Sequence, residues 1–113
     1  MELNDYQIKS RETALYANVG KNFVYPTLGL AGETGEVVEK IKKLIRNDLV
    51  TDATHIGEEK REEIAKEMGD VLWYLAQLAT ELGVSLDDIA TKNIEKLQSR
   101  KDRGVLHSEG DNR

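Results

Sequence analysis

Apolar residues recur three and four apart along most of this chain, and no stretch alternates apolar with polar residues long enough to make a strand. The strongest stripe is Ile64, Met68, Val71, Leu72, Leu75, Leu78, Ala79 and Leu82, and it predicts a core-facing helix over 58–82. Gly83 suits the left-handed position that closes such a helix. Ser85 then reads as an N-cap with Asp88 three residues on, which starts a helix running to about 103 with Leu86, Ile89, Ala90, Ile94 and Leu97 on its apolar face. Leu30, Val37, Ile41, Leu44 and Ile45 predict another helix over 27–47. A weaker pattern, Tyr6, Ala14, Leu15 and Val19 with Ile8 off the line, predicts a first helix over 3–19 that breaks at Gly20 and the Asn22–Pro26 stretch. Residues 48–57 read as a loop, and 104–113 as a polar tail. The expectation is one all-α domain over 1–113, a four-helix bundle-like protomer with an N-terminal helix and loop over 1–26 and core helices over 27–103.

Charge falls on this pattern unevenly. The second helix carries Glu33 and Glu36, the third Glu67 and Asp70, and residues three apart share a helix face. Both pairs border the apolar stripes, so packing the stripes together draws four carboxylates towards one seam. Unpartnered, they would repel one another and some would protonate. A divalent cation removes that conflict, and an all-oxygen donor set selects a hard ion, Mg2+ first and Mn2+ next. Composition narrows the choice. The 113 residues include no cysteine and only two histidines, His55 and His107, which excludes disulfides and the Cys/His zinc classes. Di-iron bundles add Glu-x-x-His, and no histidine sits at that spacing here. The bland alternative is that the acid pairs are a solvated helix surface. Glu39 reads as solvated in either case, and Glu63, one turn before Glu67, as a supporting group.

The net charge of −5, from 21 acidic and 16 basic residues, argues against a broad nucleic-acid surface. The basic residues nevertheless gather on the fourth helix, where Lys92, Lys96 and Arg100 recur four apart with Asn93 beside them. An acidic, metal-binding seam facing a basic helix suits a polyphosphate, although Glu95 and Asp102 are interleaved as in a salt-bridged surface. Glycines 29, 32 and 35 each cost helix stability, which suggests close approach by another helix or a ligand. Tyr74, one turn after Asp70, could touch a base or sugar; Trp73, off the stripe, suits a subunit contact. No leader or bilayer-length apolar run is visible, so the cytoplasm is the expected location.

The run Tyr25-Pro26-Thr27-Leu28-Gly29-Leu30-Ala31-Gly32-Glu33-Thr34-Gly35-Glu36-Val37, followed by Glu67-Met68-Gly69-Asp70-Val71-Leu72, resembles the MazG-type nucleoside triphosphate pyrophosphohydrolases. The likeness extends to Lys92-Asn93 and to the Arg-Lys-Asp-Arg-Gly-Val-Leu run at 100–106. The resemblance implies an all-α enzyme that uses Mg2+ to cleave a nucleoside triphosphate between the α and β phosphates. It implies Glu33, Glu36, Glu67 and Asp70 as metal ligands, and Tyr74, Lys92, Asn93 and Lys96 as substrate contacts. Many members carry a glutamate, proposed as the base, where this chain has Gly32, so the base stays unassigned. Relatives are typically dimers or dimers of dimers, which implies a homo-oligomer here. Phosphoribosyl-ATP pyrophosphohydrolases share the carboxylates and are the alternative within this chemistry. A non-catalytic helical interaction module is the alternative outside it.

Overall fold

The computed structural model describes all of residues 1–113 and is all-α, with no strand. Helix α1 spans Leu3–Ser10, α2 Val24–Asp48, α3 Glu58–Glu81 and α4 Leu86–Asp102, with single 3-10 turns at Arg11–Thr13 and Ala53–His55. The two long helices run antiparallel along one another. Gly29 faces Tyr74, Glu33 faces Glu67 and Asp70, and Lys40 faces Glu63 and Glu67.

Helix ends in the second half of the chain lie where sequence chemistry put them. Gly83 is left-handed at φ +71°, and the Val84 N–H reaches back to the Ala79 carbonyl. The Ser85 hydroxyl accepts from the Asp88 N–H at 3.0 Å and opens α4. The first half departs from expectation. The predicted helix over 3–19 stops at Ser10, and Leu15 is 89% exposed. Its weak pattern loses to tertiary contacts: beyond Thr13 the chain runs irregularly, and its Gly20 and Asn22 N–H groups are taken by Glu81 of α3. The Asn22–Pro26 stretch, expected to be a break, instead starts α2. Asn22 Oδ1 accepts from the Val24 and Tyr25 N–H groups, and Pro26 sits in the first turn, where an N–H is not needed. The terminal segment is also more ordered than a polar tail suggests, because the Arg113 guanidinium donates to the carbonyls of Val105, Leu106 and Gly110.

A small core forms where α1 and the start of α4 meet the C-terminal half of α3: Ala76, Ala79 and Leu86, with Tyr6 and Leu75 packed on them. Gln7 brackets this junction. Its amide oxygen accepts the Leu86 N–H at 2.8 Å, and its nitrogen donates to the Val84 carbonyl and Thr80 hydroxyl. Asn4 likewise accepts the Asp87 N–H. The helices are not gathered about one axis, since α4 packs chiefly on α1 while α2 and α3 pair with each other. The radius of gyration, 17.1 Å, exceeds the roughly 13 Å of a compact chain this long. Large apolar side chains are left in solvent, among them Leu28, Val38 and Ile45 on α2, Met68 on α3 and Ile94 on α4. No helix is long and apolar enough to cross a membrane.

Candidate metal centre

Glu33 comes from the middle of α2, and Glu67 and Asp70 from successive turns of α3. Ligand oxygens from these three carboxylates all lie within 4.8 Å of one another. Glu33 and Glu67 are half-buried and Asp70 is exposed. Burial pushes the Glu33 carboxyl up, and the charges of Asp70, Glu67 and Glu36 push it further. No hydrogen bond from a cation satisfies any of the three; the nearest approach is Lys40 Nζ, 3.9 Å from Glu67. Three converging oxygen donors in mutual repulsion are what a hard divalent ion would fit.

The sequence profile of the MazG nucleotide pyrophosphohydrolase domain matches residues 26–105. The chain belongs to that family. Over its whole length it is 44% identical to the Gene 37 protein of Mycobacterium phage L5, with all of both chains covered. It is 35% identical to the uncharacterized protein YvdC of Bacillus subtilis strain 168 over 72 residues, which are 63% of this chain and 68% of that one. No solved structure matches.

Within this MazG domain the expected site residues are distributed as follows. Glu33, Glu67 and Asp70 come together, while Glu36 is exposed and stands outside the group, close enough to add to the charge on Glu33. Glu39 is held by Lys42 at 2.9 Å and Lys43 at 3.8 Å, which pulls its carboxyl down. Glu63 takes Lys60 at 3.3 Å and Lys40 at 4.0 Å. Tyr74 lies along the α2 backbone at Gly29, where an added Cβ would sit 2.1 Å from the ring. Its hydroxyl is raised by the hydrogen bond with Tyr25, by burial, and by the charges of Tyr25, Glu33 and Asp70. Of the glycine triplet, only Gly29 meets a neighbour; Gly32 and Gly35 face open space.

Lys92, Asn93 and Lys96 are exposed on α4, which the single chain does not pack beside the acids. They make no ion pair with the interleaved Glu95 or Asp102 either; the six salt bridges of the chain all lie elsewhere. Arg100, the third of that basic row, is buried and donates to the Asp111 carbonyl instead of facing outward. Trp73, expected at a subunit contact, is used inside the chain: its indole N–H reaches the Ser10 carbonyl at 3.2 Å and the Thr13 hydroxyl at 2.9 Å.

Sequence reasoning missed the group that holds the N-terminal segment. The Glu81 side chain is 1% exposed. It accepts from Arg11 at 3.1 Å and from the Gly20 and Asn22 N–H groups at 2.9 and 3.1 Å. Burial pushes its carboxyl up, but these donors outweigh burial and leave it below the ordinary range. Arg11 also donates to the Tyr16 hydroxyl and to the wholly buried Gln77. Tyr16 stacks on Tyr25 at 4.9 Å, and Tyr25 meets Tyr74 at 6.2 Å, so the clamp ends at the ring beside the acids. The available signal was two polar residues, Gln77 and Glu81, one helical turn apart within the apolar half of α3.

Proposed function

We propose that this MazG domain hydrolyses a nucleoside triphosphate, a deoxynucleotide or a non-canonical one, between its α and β phosphates, giving a nucleoside monophosphate and pyrophosphate with Mg2+ as cofactor. The observation that carries the reading is the convergence of Glu33, Glu67 and Asp70 from two helices onto one point, within the matched region. These three, with Glu36 completing the set from the next turn of α2, would hold the metal, and Mn2+ would substitute. Bound Mg2+ supplies polarisation of the phosphoryl oxygens, a lowered pKa for attacking water and charge compensation for the leaving group.

The chain's own groups do the rest. Tyr74, fixed against Gly29, walls the acid cluster where a sugar or base would lie. Gly32 offers no base, so a ligand carboxylate or the metal alone must prepare the water. Lys92, Asn93 and Lys96 are assigned to the phosphates. Because they stand apart from the acids within one protomer, the reading includes a homo-oligomer, a dimer or a dimer of dimers, in which copies cover the exposed faces of α2, α3 and α4 and bring a basic row to an acid cluster. No nucleic-acid polymer and no membrane is involved, and the site of action is the cytoplasm.

A pyrophosphate-release screen over canonical and modified nucleotides with Mg2+ and Mn2+ tests this reading. Turnover of a nucleotide that stops with chelator supports it, and metal-independent or absent turnover sinks it. Phosphoribosyl-ATP belongs in the same panel, because the shared carboxylates suit that substrate too. Sedimentation at several protein concentrations tests the oligomer.

A further inference from the structure

The geometry points to Lys40 and the cavity beneath it as the seat of the released pyrophosphate, an inference that rests on the pyrophosphohydrolase reading. With α4 turned away, Lys40 is the cation that stands beside the acid cluster. Its ammonium lies 3.9 Å from Glu67 and 4.0 Å from Glu63, inside ion-pair range but beyond hydrogen-bonding distance of both. It makes no hydrogen bond at all, so its three donors are free to turn to another acceptor. It is held loosely between two carboxylates and is one-third exposed.

Next to it, between α2 and α3 on the side away from Tyr74, is a cavity of about 180 Å³ lined by Lys40, Lys43, Lys60, Asn47, Asp48 and Glu63 among others. Lys43 is drawn to Glu39 and Lys60 hydrogen-bonds Glu63, so Lys40 is the ammonium of this recess least committed to a partner. Glu67 belongs to both places: it is a member of the acid cluster and a partner of Lys40. A cation on the cluster would draw the Glu67 carboxylate to itself and weaken its hold on Lys40. The ammonium then becomes available to an anion that touches the cluster and extends past Glu67 towards the cavity. The leaving part of the triphosphate fits that description. When water splits the α–β anhydride, negative charge grows on the departing pyrophosphate, and a charge-assisted hydrogen bond from Lys40 would meet it there. The lysine takes part as a hydrogen-bond donor.

The test compares the full-length chain with Lys40→Gln and Lys43→Gln, and uses inorganic pyrophosphate as the probe. With Mg2+ saturating, calorimetry should show pyrophosphate binding about tenfold weaker in Lys40→Gln, the scale of one charge-assisted hydrogen bond lost. Lys43, drawn towards Glu39, should matter less. Binding of a nucleoside monophosphate should be unchanged, which separates the pyrophosphate seat from the nucleoside end. In the absence of phosphate, Lys40→Gln should bind Mg2+ as tightly as the parent or more tightly, because Glu67 loses a competitor. A lysine that merely holds the carboxylates in place predicts the opposite: weaker Mg2+ binding, with pyrophosphate affinity falling only in proportion. That result, or an unchanged pyrophosphate affinity, overturns the inference. The two readings fail separately. Nucleotide cleavage with Lys40-independent pyrophosphate binding removes the inference alone, whereas Lys40-dependent pyrophosphate binding without cleavage of any nucleotide removes the functional reading.

Discussion

The two halves of α3 are built on opposite terms. Its C-terminal half, from Trp73 to Glu81, is finished within the chain. The Trp73 indole, the Gln77 amide and the Glu81 carboxylate each have protein partners, and Ala76 and Ala79 are buried. The N-terminal half, from Glu58 to Leu72, is left open. Glu67 and Asp70 crowd Glu33 without a firm cation, and Met68 is 57% exposed. A buried carboxylate is tolerated in the C-terminal half because Arg11 and two backbone N–H groups donate to it, while crowded carboxylates persist in the N-terminal half without such donors. The same side chain is thus structural at one end of a helix and, on the proposed reading, a metal ligand at the other.

Removing a charge should therefore have opposite effects at the two ends. The largest effect is expected from Asp70→Asn or Glu67→Gln. Nucleotide turnover should fall by about 10²–10³-fold, the scale of losing one preorganised electrostatic group, while the metal-free fold is unharmed or slightly stabilised. Steady-state rates and thermal unfolding in chelator check both halves of that statement. If turnover survives in Asp70→Asn, the open end of the helix is not the site. Glu81→Ala should do the reverse, costing about 3 kcal/mol in urea unfolding by stranding Arg11 and two backbone donors, yet leaving Mg2+ affinity near that of the parent under conditions where the variant is folded. A smaller cost, about 1–3 kcal/mol, is expected from Gly29→Ala, since the new methyl meets the Tyr74 ring. Gly32→Ala, which meets nothing, should instead gain up to about 1 kcal/mol.

The smallest expected effect concerns pH. The Glu81 carboxyl is held below its unfolded value, so the stability it contributes is present above the ordinary carboxylate range and is lost as pH falls through its folded pKa. Between neutral and acidic pH the parent should lose more stability than Glu81→Gln. Equal slopes for the two proteins would mean that Arg11 and the backbone donors do not set the titration of this group.

What could be read in advance follows the same division. The ends of α3 and α4 were legible because Gly83 and Ser85 act locally, through backbone conformation and a single capping hydrogen bond. The acid pairs were legible because three-residue spacing fixes a helix face. The course of residues 11–23 was not, since it depends on Glu81, about sixty residues away in sequence. Trp73 was misplaced for the same reason: its partners, Ser10 and Thr13, lie in a segment that periodicity assigned to a helix. Lys40 drew no notice because one lysine among many on α2 carries no pattern. Only the antiparallel pairing of α2 and α3 shows which carboxylates it meets.

The bracket that Asn4 and Gln7 form around Leu86 and Asp87 has a consequence for how portable this domain is. The profile shared with the family begins at residue 26, so the bracket lies outside it, yet it sets the direction in which α4 leaves α3. A graft of the shared region alone would carry the acids and the basic row but not the aim of one relative to the other. Transplanting the proposed chemistry into a new host would require the first few residues to travel with it, although none of them belongs to the acid cluster.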